Sequence, residues 1–125
     1  MTKKTKRILF VITGLGMGGA ENQVVNLADN LQNRGHSVTI AYILEPLIIL
    51  PKNNNVKVVF LHGEKSIKGI FKAYLNLIKL IKNIKPDIVH SHMYHANILT
   101  RLAKLFSKIP KLICTAHSNN EGGIF

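Results

Sequence analysis

Val11-Ile12-Thr13-Gly14-Leu15-Gly16-Met17-Gly18-Gly19-Ala20-Glu21 reads as a buried strand that breaks into a glycine-rich turn and opens a helix. From Arg7 to Thr13 there is no polar alternation, the pattern of a strand covered on both faces in a parallel sheet; Ala20 to Leu31 then takes helical spacing. Glycines at such a junction let the chain turn sharply and let backbone approach a ligand. The amides of the new helix's first turn offer partial positive charge to an anion. Gly14, Gly16 and Gly19 also satisfy G-x-G-x-x-G in the strand, turn, helix context that a dinucleotide-binding turn requires. This spacing speaks for a fold more than for a ligand, because the same glycines serve where a helix simply packs tightly on its strand.

Outward from this junction the chain keeps alternating. Arg34-Gly35-His36 stops the first helix, and Ser37 to Ile43 reads as a second strand. Glu45-Pro46 and Pro51-Lys52-Asn53-Asn54-Asn55 bracket Leu47 to Leu50 as a short extra turn, before a third strand at Val56 to Leu61. A helix lies between Lys65 and Lys85 and ends at Lys85-Pro86. Asp87 to His90 follows as a short fourth strand, Met93 to Ser107 as another helix, and Lys111 to Thr115 as a fifth strand after Pro110. The order predicts an α/β fold, a Rossmann-like doubly wound parallel sheet of about five strands with helices on both faces. Ligands collect at the carboxyl ends of such strands. No repeat, low-complexity tract or linker interrupts residues 1–125, which read as a single domain.

Composition narrows the class. With 46% hydrophobic and 18% charged residues in 125, the chain is globular, and no apolar run approaches the roughly 20 residues of a membrane-spanning helix. Met1 to Arg7 followed by Ile8 to Ile12 imitates a secretory signal, but the apolar run is short and ends in the glycine turn. Cys114 is the single cysteine, so no internal disulfide forms; its apolar neighbours predict a buried thiol in a reducing cytoplasm.

Seventeen Lys and Arg against six Asp and Glu give a net charge of +11, which favours anionic partners. Between Lys65 and Lys85 apolar residues recur at helical spacing while Lys68, Lys72, Lys79 and Lys82 gather on the opposite face. That face is either a solvated one or a dock for anionic phospholipid. Nucleic acid is not expected: aromatics are 6% of the chain, none interleave the lysines, and no binding motif is present.

Polar groups stand at three strand ends: the glycine turn, His90-Ser91-His92 after strand four, and His117-Ser118 after strand five. Imidazoles there can hydrogen-bond a sugar hydroxyl or phosphate oxygen, or shuttle a proton near neutral pH. His90-x-His92-x-x-His95 is dense in imidazole, yet no cysteine or carboxylate completes a metal set, and none is expected. The acidic residues occur singly, without the pair a glycosidase needs, and no G-x-S-x-G elbow is present.

Gly18-Gly19-Ala20-Glu21, Lys85-Pro86-Asp87-Ile88-Val89-His90-Ser91-His92 and Thr115-Ala116-His117-Ser118, in this order, resemble the amino-terminal domain of family-4-like glycosyltransferases of the GT-B fold. The resemblance runs from about Arg7 to Ser118. It implies retaining transfer of a hexosyl group from a nucleotide-sugar donor to an acceptor, often a glycan or lipid-linked one in bacterial cell-surface polysaccharide synthesis. By position, Gly18 and Gly19 would approach the donor diphosphate or the acceptor, Glu21 would stand at the helix start as cap or ligand, and His92, or else His90 beside Ser91, would line the cleft near the transferred sugar. His117 would reach the same cleft. The family needs no cofactor or metal.

Full members carry a second Rossmann-like domain that holds the nucleotide. This chain leads through Asn119-Asn120-Glu121-Gly122-Gly123 to Ile124-Phe125. The expectation is therefore an incomplete amino-terminal domain, inactive alone, that a carboxyl-terminal domain would complete. Its expected place is the cytoplasm, peripherally on the inner face of the plasma membrane. Two other readings compete: an NAD(P)-binding oxidoreductase domain, with Glu45 near the ribose, and a non-catalytic lipid-surface or partner-binding fragment.

Overall fold

The computed structural model describes residues 5–15, 19–47, 49–92 and 94–115. Five strands, β1 (Arg7–Leu15), β2 (Ser37–Leu47), β3 (Lys57–Phe60), β4 (Ile88–His92) and β5 (Lys111–Thr115), form one sheet in the order β3-β2-β1-β4-β5. Every pairing is parallel. Three helices connect them: α1 (Gly19–Asn33), α2 (Ile67–Ile84) and α3 (Tyr94–Phe106). The doubly wound sheet expected from the sequence is thus the fold of the chain.

The uniform hydrophobicity of β1 has its cause in the central place of that strand. Leu9 and Val11 join Ala41, Ile43 and Val89 under the inner stripes of α2 and α3. Ile8, Phe10 and Ile12 face the other way, with Val38 and Ile40, onto Val24, Val25 and Ala28 of α1. Both sets of alternate side chains are buried, as they are where helices cover both faces.

Helix ends follow local chemistry. After α1 the chain reverses through Gly35 at φ +98°, with Gly35 N–H donating to Gln32 O at 3.0 Å and His36 N–H to Leu31 O at 3.1 Å. At the start of α2 the Ser66 hydroxyl accepts from Gly69 N–H at 3.0 Å. A Cβ at Gly69 would lie 2.7 Å from Glu64 Cα, so the turn into α2 requires glycine there. Lys85 closes α2 in the left-handed region at φ 54°, immediately before Pro86.

Several boundaries differ from the sequence reading: β1 runs past Thr13 through Gly14 to Leu15, α1 reaches Asn33, β3 is confined to Lys57–Phe60, and two further shifts lie in β2 and β4. β2 continues through Glu45 and Pro46 to Leu47, because a register shift between Gly14 and Leu15 lets the strand pass a proline without breaking the sheet. The extra turn expected at Leu47 to Leu50 accordingly loses Leu47 to β2. β4 is longer than expected: Ser91 and His92 do not follow the strand but belong to it, held by β1 on one side and β5 on the other.

Candidate functional site

Because neighbours in register on parallel strands point the same way, pairing fixes which side chains meet at the carboxyl edge of the sheet. His92 pairs with Ile12 of β1 and Thr115 of β5; His90 pairs with Phe10 and Ile113. Ile12 lies three residues before the end of β1, and Thr115 is the last residue of β5. β4 therefore carries His92 between the carboxyl ends of β1 and β5.

Both imidazoles lie on the α1 side of the sheet. Their ring centroids are 4.1 Å apart, and the Phe10 ring stands 5.5 Å from His90 and 6.0 Å from His92. His92 is buried, with 3% of its surface exposed, whereas His90 is half-buried. Glu21 sits partly buried in the first turn of α1, and Gly19 is the helix's first residue. Gly18 and His117 lie outside the described residues.

Ser91 goes elsewhere. Strand alternation turns it to the α3 side, where it is fully buried and its hydroxyl lies 2.6 Å from Asn97 Oδ1. Thr100 Oγ1 donates to the same hydroxyl oxygen at 3.1 Å, and Cys114 Sγ lies 3.3 Å away. The network ties β4 and β5 to α3 and keeps the Ser91 side chain away from the face that carries His90 and His92. Cys114 itself is half-buried rather than fully buried.

A second feature at the carboxyl edge escaped the sequence reading. Thr13, Leu44, Lys65, Ser66, Ile67 and Ile70 line a crevice of about 670 Å³ between the ends of β1 and β2 and the start of α2. Thr13 Oγ1 is buried there and has no hydrogen-bond partner among the described residues. A polar residue closing an apolar strand, and a serine three residues before Gly69 at a helix start, were the available signals. Among the described residues no group of three metal-ligating side chains converges, and no helix is long and apolar enough to cross a membrane. Glu45, on which a dinucleotide ribose contact rested, falls inside β2.

The model of Glycosyltransferase Family 4 matches residues 17–124. An α-1,4-N-acetyl-D-galactosaminyltransferase of Campylobacter jejuni, named for a GalNAc-GalNAc-diNAcBac-PP-undecaprenol acceptor, is 34% identical over 119 residues, covering 90% of this chain and 33% of that protein. In structure, a glycosyltransferase from Rickettsia africae superposes with a TM-score of 0.69 at 17% identity, over 89% of this chain and 30% of its own. The calicheamicin glycosyltransferase CalG4 does so with a TM-score of 0.63 at 17% identity, over 95% and 34%. At that identity the two structures show a shared fold. The chain spans about a third of the length of each of these relatives.

Proposed function

This chain belongs to glycosyltransferase family 4, and we propose that it forms the amino-terminal, acceptor-side half of an enzyme that moves a sugar from a nucleotide-sugar donor to a glycan or lipid-linked acceptor. The observation that carries the proposal is the row Ile12, His92, Thr115, which sets His92 between the carboxyl ends of β1 and β5. In this reading Gly18 and Gly19 bring backbone amides at the start of α1 to the donor diphosphate, where the partial positive charge of the helix end favours the leaving group. His92 and His117 contact the transferred sugar, with His90 and Glu21 at the margin of the cleft. Ser91 acts from behind the strand, holding β4 against α3.

Retention of anomeric configuration, a hexosyl donor and a role in bacterial surface polysaccharide belong to this proposal, as does a carboxyl-terminal domain that completes the cleft. The crevice beside Thr13 supports a lipid-linked acceptor, since Leu44, Ile67 and Ile70 offer apolar contact while Lys65 offers positive charge to a phosphate. Lys68, Lys72, Lys79 and Lys82, all exposed on α2, support peripheral attachment to an anionic inner membrane face. The NAD(P) reading has no comparable support.

Ligand-observed NMR of the chain against UDP, GDP, their sugar conjugates and NAD tests the proposal. Selective binding of a nucleotide or nucleotide-sugar, weakened about tenfold or more by Gly18→Val because a bulky side chain blocks backbone approach, is the expected result. Binding of NAD in preference to the others overturns it.

A further inference from the structure

β3 stands at one end of the sheet, with β2 on one side and no strand on the other among the described residues. Just past the pair Tyr42 and Phe60, Leu61 N–H donates to Tyr42 O at 2.9 Å. Along a parallel strand the peptide groups of alternate residues turn to the same neighbour. Those of Lys57, Val59 and Leu61 therefore face β2, and those of Val58 and Phe60 face outward. Two N–H donors and two carbonyl acceptors are thus presented at the edge of the sheet, where Val58, Val59 and Phe60 are each only half-buried. Such an edge is a template for one more strand.

A groove of about 420 Å³ runs beside that edge. Val59 and Leu61 line it from β3 and its end, and Asn76, Lys79, Leu80 and Asn83 from α2. Asn76 Nδ2 donates to Leu61 O at 2.8 Å and so pins this side of α2 against the end of β3. Lys72, one turn earlier, shares the Asn76 side of the helix, and Lys57 opens the strand itself. Neither β3 nor α2 contains an Asp or Glu. The opposite face of β3 differs. There the Phe60 ring stacks on Tyr42 at 4.9 Å and meets His62 at 4.6 Å, with Val58 packed against the same apolar cluster. A strand laid against β3 would turn alternate side chains to these two faces, every second one toward lysines and amides and the others toward aromatic and aliphatic surface.

We propose that the free edge of β3 and the groove beside α2 form a docking site for an extended segment of another protein, alternating acidic and apolar residues, that joins the sheet as a further strand. Main-chain pairing to Val58 and Phe60 holds the segment, and charge selects it: acidic side chains reach Lys57, Lys72 and Lys79, whereas a net charge of +11 repels basic peptides. A second copy of the chain fits badly, because edge-to-edge pairing would bring Lys57 and Lys79 of both copies together with no carboxylate on β3 or α2 between them. β2 and β1 separate this edge from His92 on β4, so a docked segment leaves the cleft open. The site is an attachment point outside the transfer chemistry, and it stands whether or not the chain turns over a sugar.

Titration of the full chain with an end-capped octapeptide of alternating glutamate and valine, followed by backbone amide NMR, tests the proposal. Saturable shifts are expected at Val58, Phe60 and the Asn76 to Asn83 side of α2, and at saturation the Val58 and Phe60 amides exchange about tenfold more slowly. Affinity falls as salt rises, and Lys79→Gln weakens it about threefold, as loss of one exposed ion pair should. Val58→Pro is the sharper variant. Proline is tolerated on an edge strand where the amide faces outward, yet it removes a donor and puts ring atoms where the added strand must lie. Binding should fall about tenfold or more while the spectrum stays that of the native fold. Should that variant fail to fold, the exchange measurement on the unaltered chain decides alone. Equal binding of an octapeptide of alternating lysine and valine, shifts centred on β5 at the other end of the sheet, or undiminished binding by folded Val58→Pro would each overturn the proposal. So would a dimer in solution whose Val58 and Phe60 amides are protected before peptide is added, since a second copy would then hold the edge.

Discussion

Helix α1 and the pair α2 and α3 cover opposite faces of one sheet, yet they differ in what they turn toward solvent. α1 shows Asn22, Gln23, Asn26, Asn30 and Asn33, polar and uncharged, with Leu27 as its one large exposed apolar residue among those described. The pair shows large apolar residues, Ile67, Phe71 and Leu75 on α2 and Ile98, Leu102 and Leu105 on α3, among exposed lysines and Arg101. Inside, all three are alike: Val24, Val25 and Ala28 on α1 bury as completely as Ala73, Leu77 and Ala103 on its counterparts. The fold therefore constrains a stripe on each helix, and the remaining surface is free to be shaped by what the helix meets.

The largest expected effect separates stripe from surface on a single helix. Leu77→Ala, fully buried, should cost about 2–5 kcal/mol in urea denaturation, whereas Leu75→Ala, two residues away and outward, should stay within about 0.5 kcal/mol. Similar costs would break the distinction. On the α1 side, Asp29 is the one buried carboxylate among the described residues, and its two oxygens accept from Lys52 N–H at 2.9 Å and Asn53 N–H at 2.8 Å. Asp29→Ala leaves those amides without their acceptor and should cost about 1–3 kcal/mol, read as a lowered urea midpoint with an unchanged slope. Ser91→Ala should cost about 1 kcal/mol, because the α3 network loses its shared hydroxyl. Were the Ser91 hydroxyl to touch sugar instead, this variant would weaken nucleotide-sugar binding at unchanged stability. The smallest effect sharpens the comparison most: Phe71→Ser and Leu105→Ser, both outward and exposed, should leave stability within about 0.5 kcal/mol.

The order of elements was legible in the sequence because β1, β2 and the inner helix stripes are each dominated by one period. What escaped has a physical reason in each case. His90-Ser91-His92 looks like a polar loop, and only pairing on both edges makes it a strand; once it is a strand, alternation sends Ser91 to one face and both histidines to the other. Pro46 looks like a stop, but a register irregularity beside Gly14 accommodates it. The lysines of α2 were visible by spacing, whereas their apolar neighbours passed for core, since a helical wheel cannot tell a residue beneath the next helix from one beside it. The crevice at Thr13 joins three segments far apart in the chain, and no local pattern announces such a meeting.

The central place of β1 also has a consequence for how the chain is made. Arg7 pairs with Ser37 on one side, 30 residues later, and on the other its amide waits for the carboxylate of Asp87, 80 residues later at 2.8 Å. During synthesis, β1, α1, β2, β3 and α2 leave the ribosome before β4 exists, so one edge of the central strand stays open while the first half of the domain assembles. Slower translation lengthens that interval in proportion, and yield of soluble chain should respond to the rate at which residues 60–90 are delivered as much as to the stability of the finished fold.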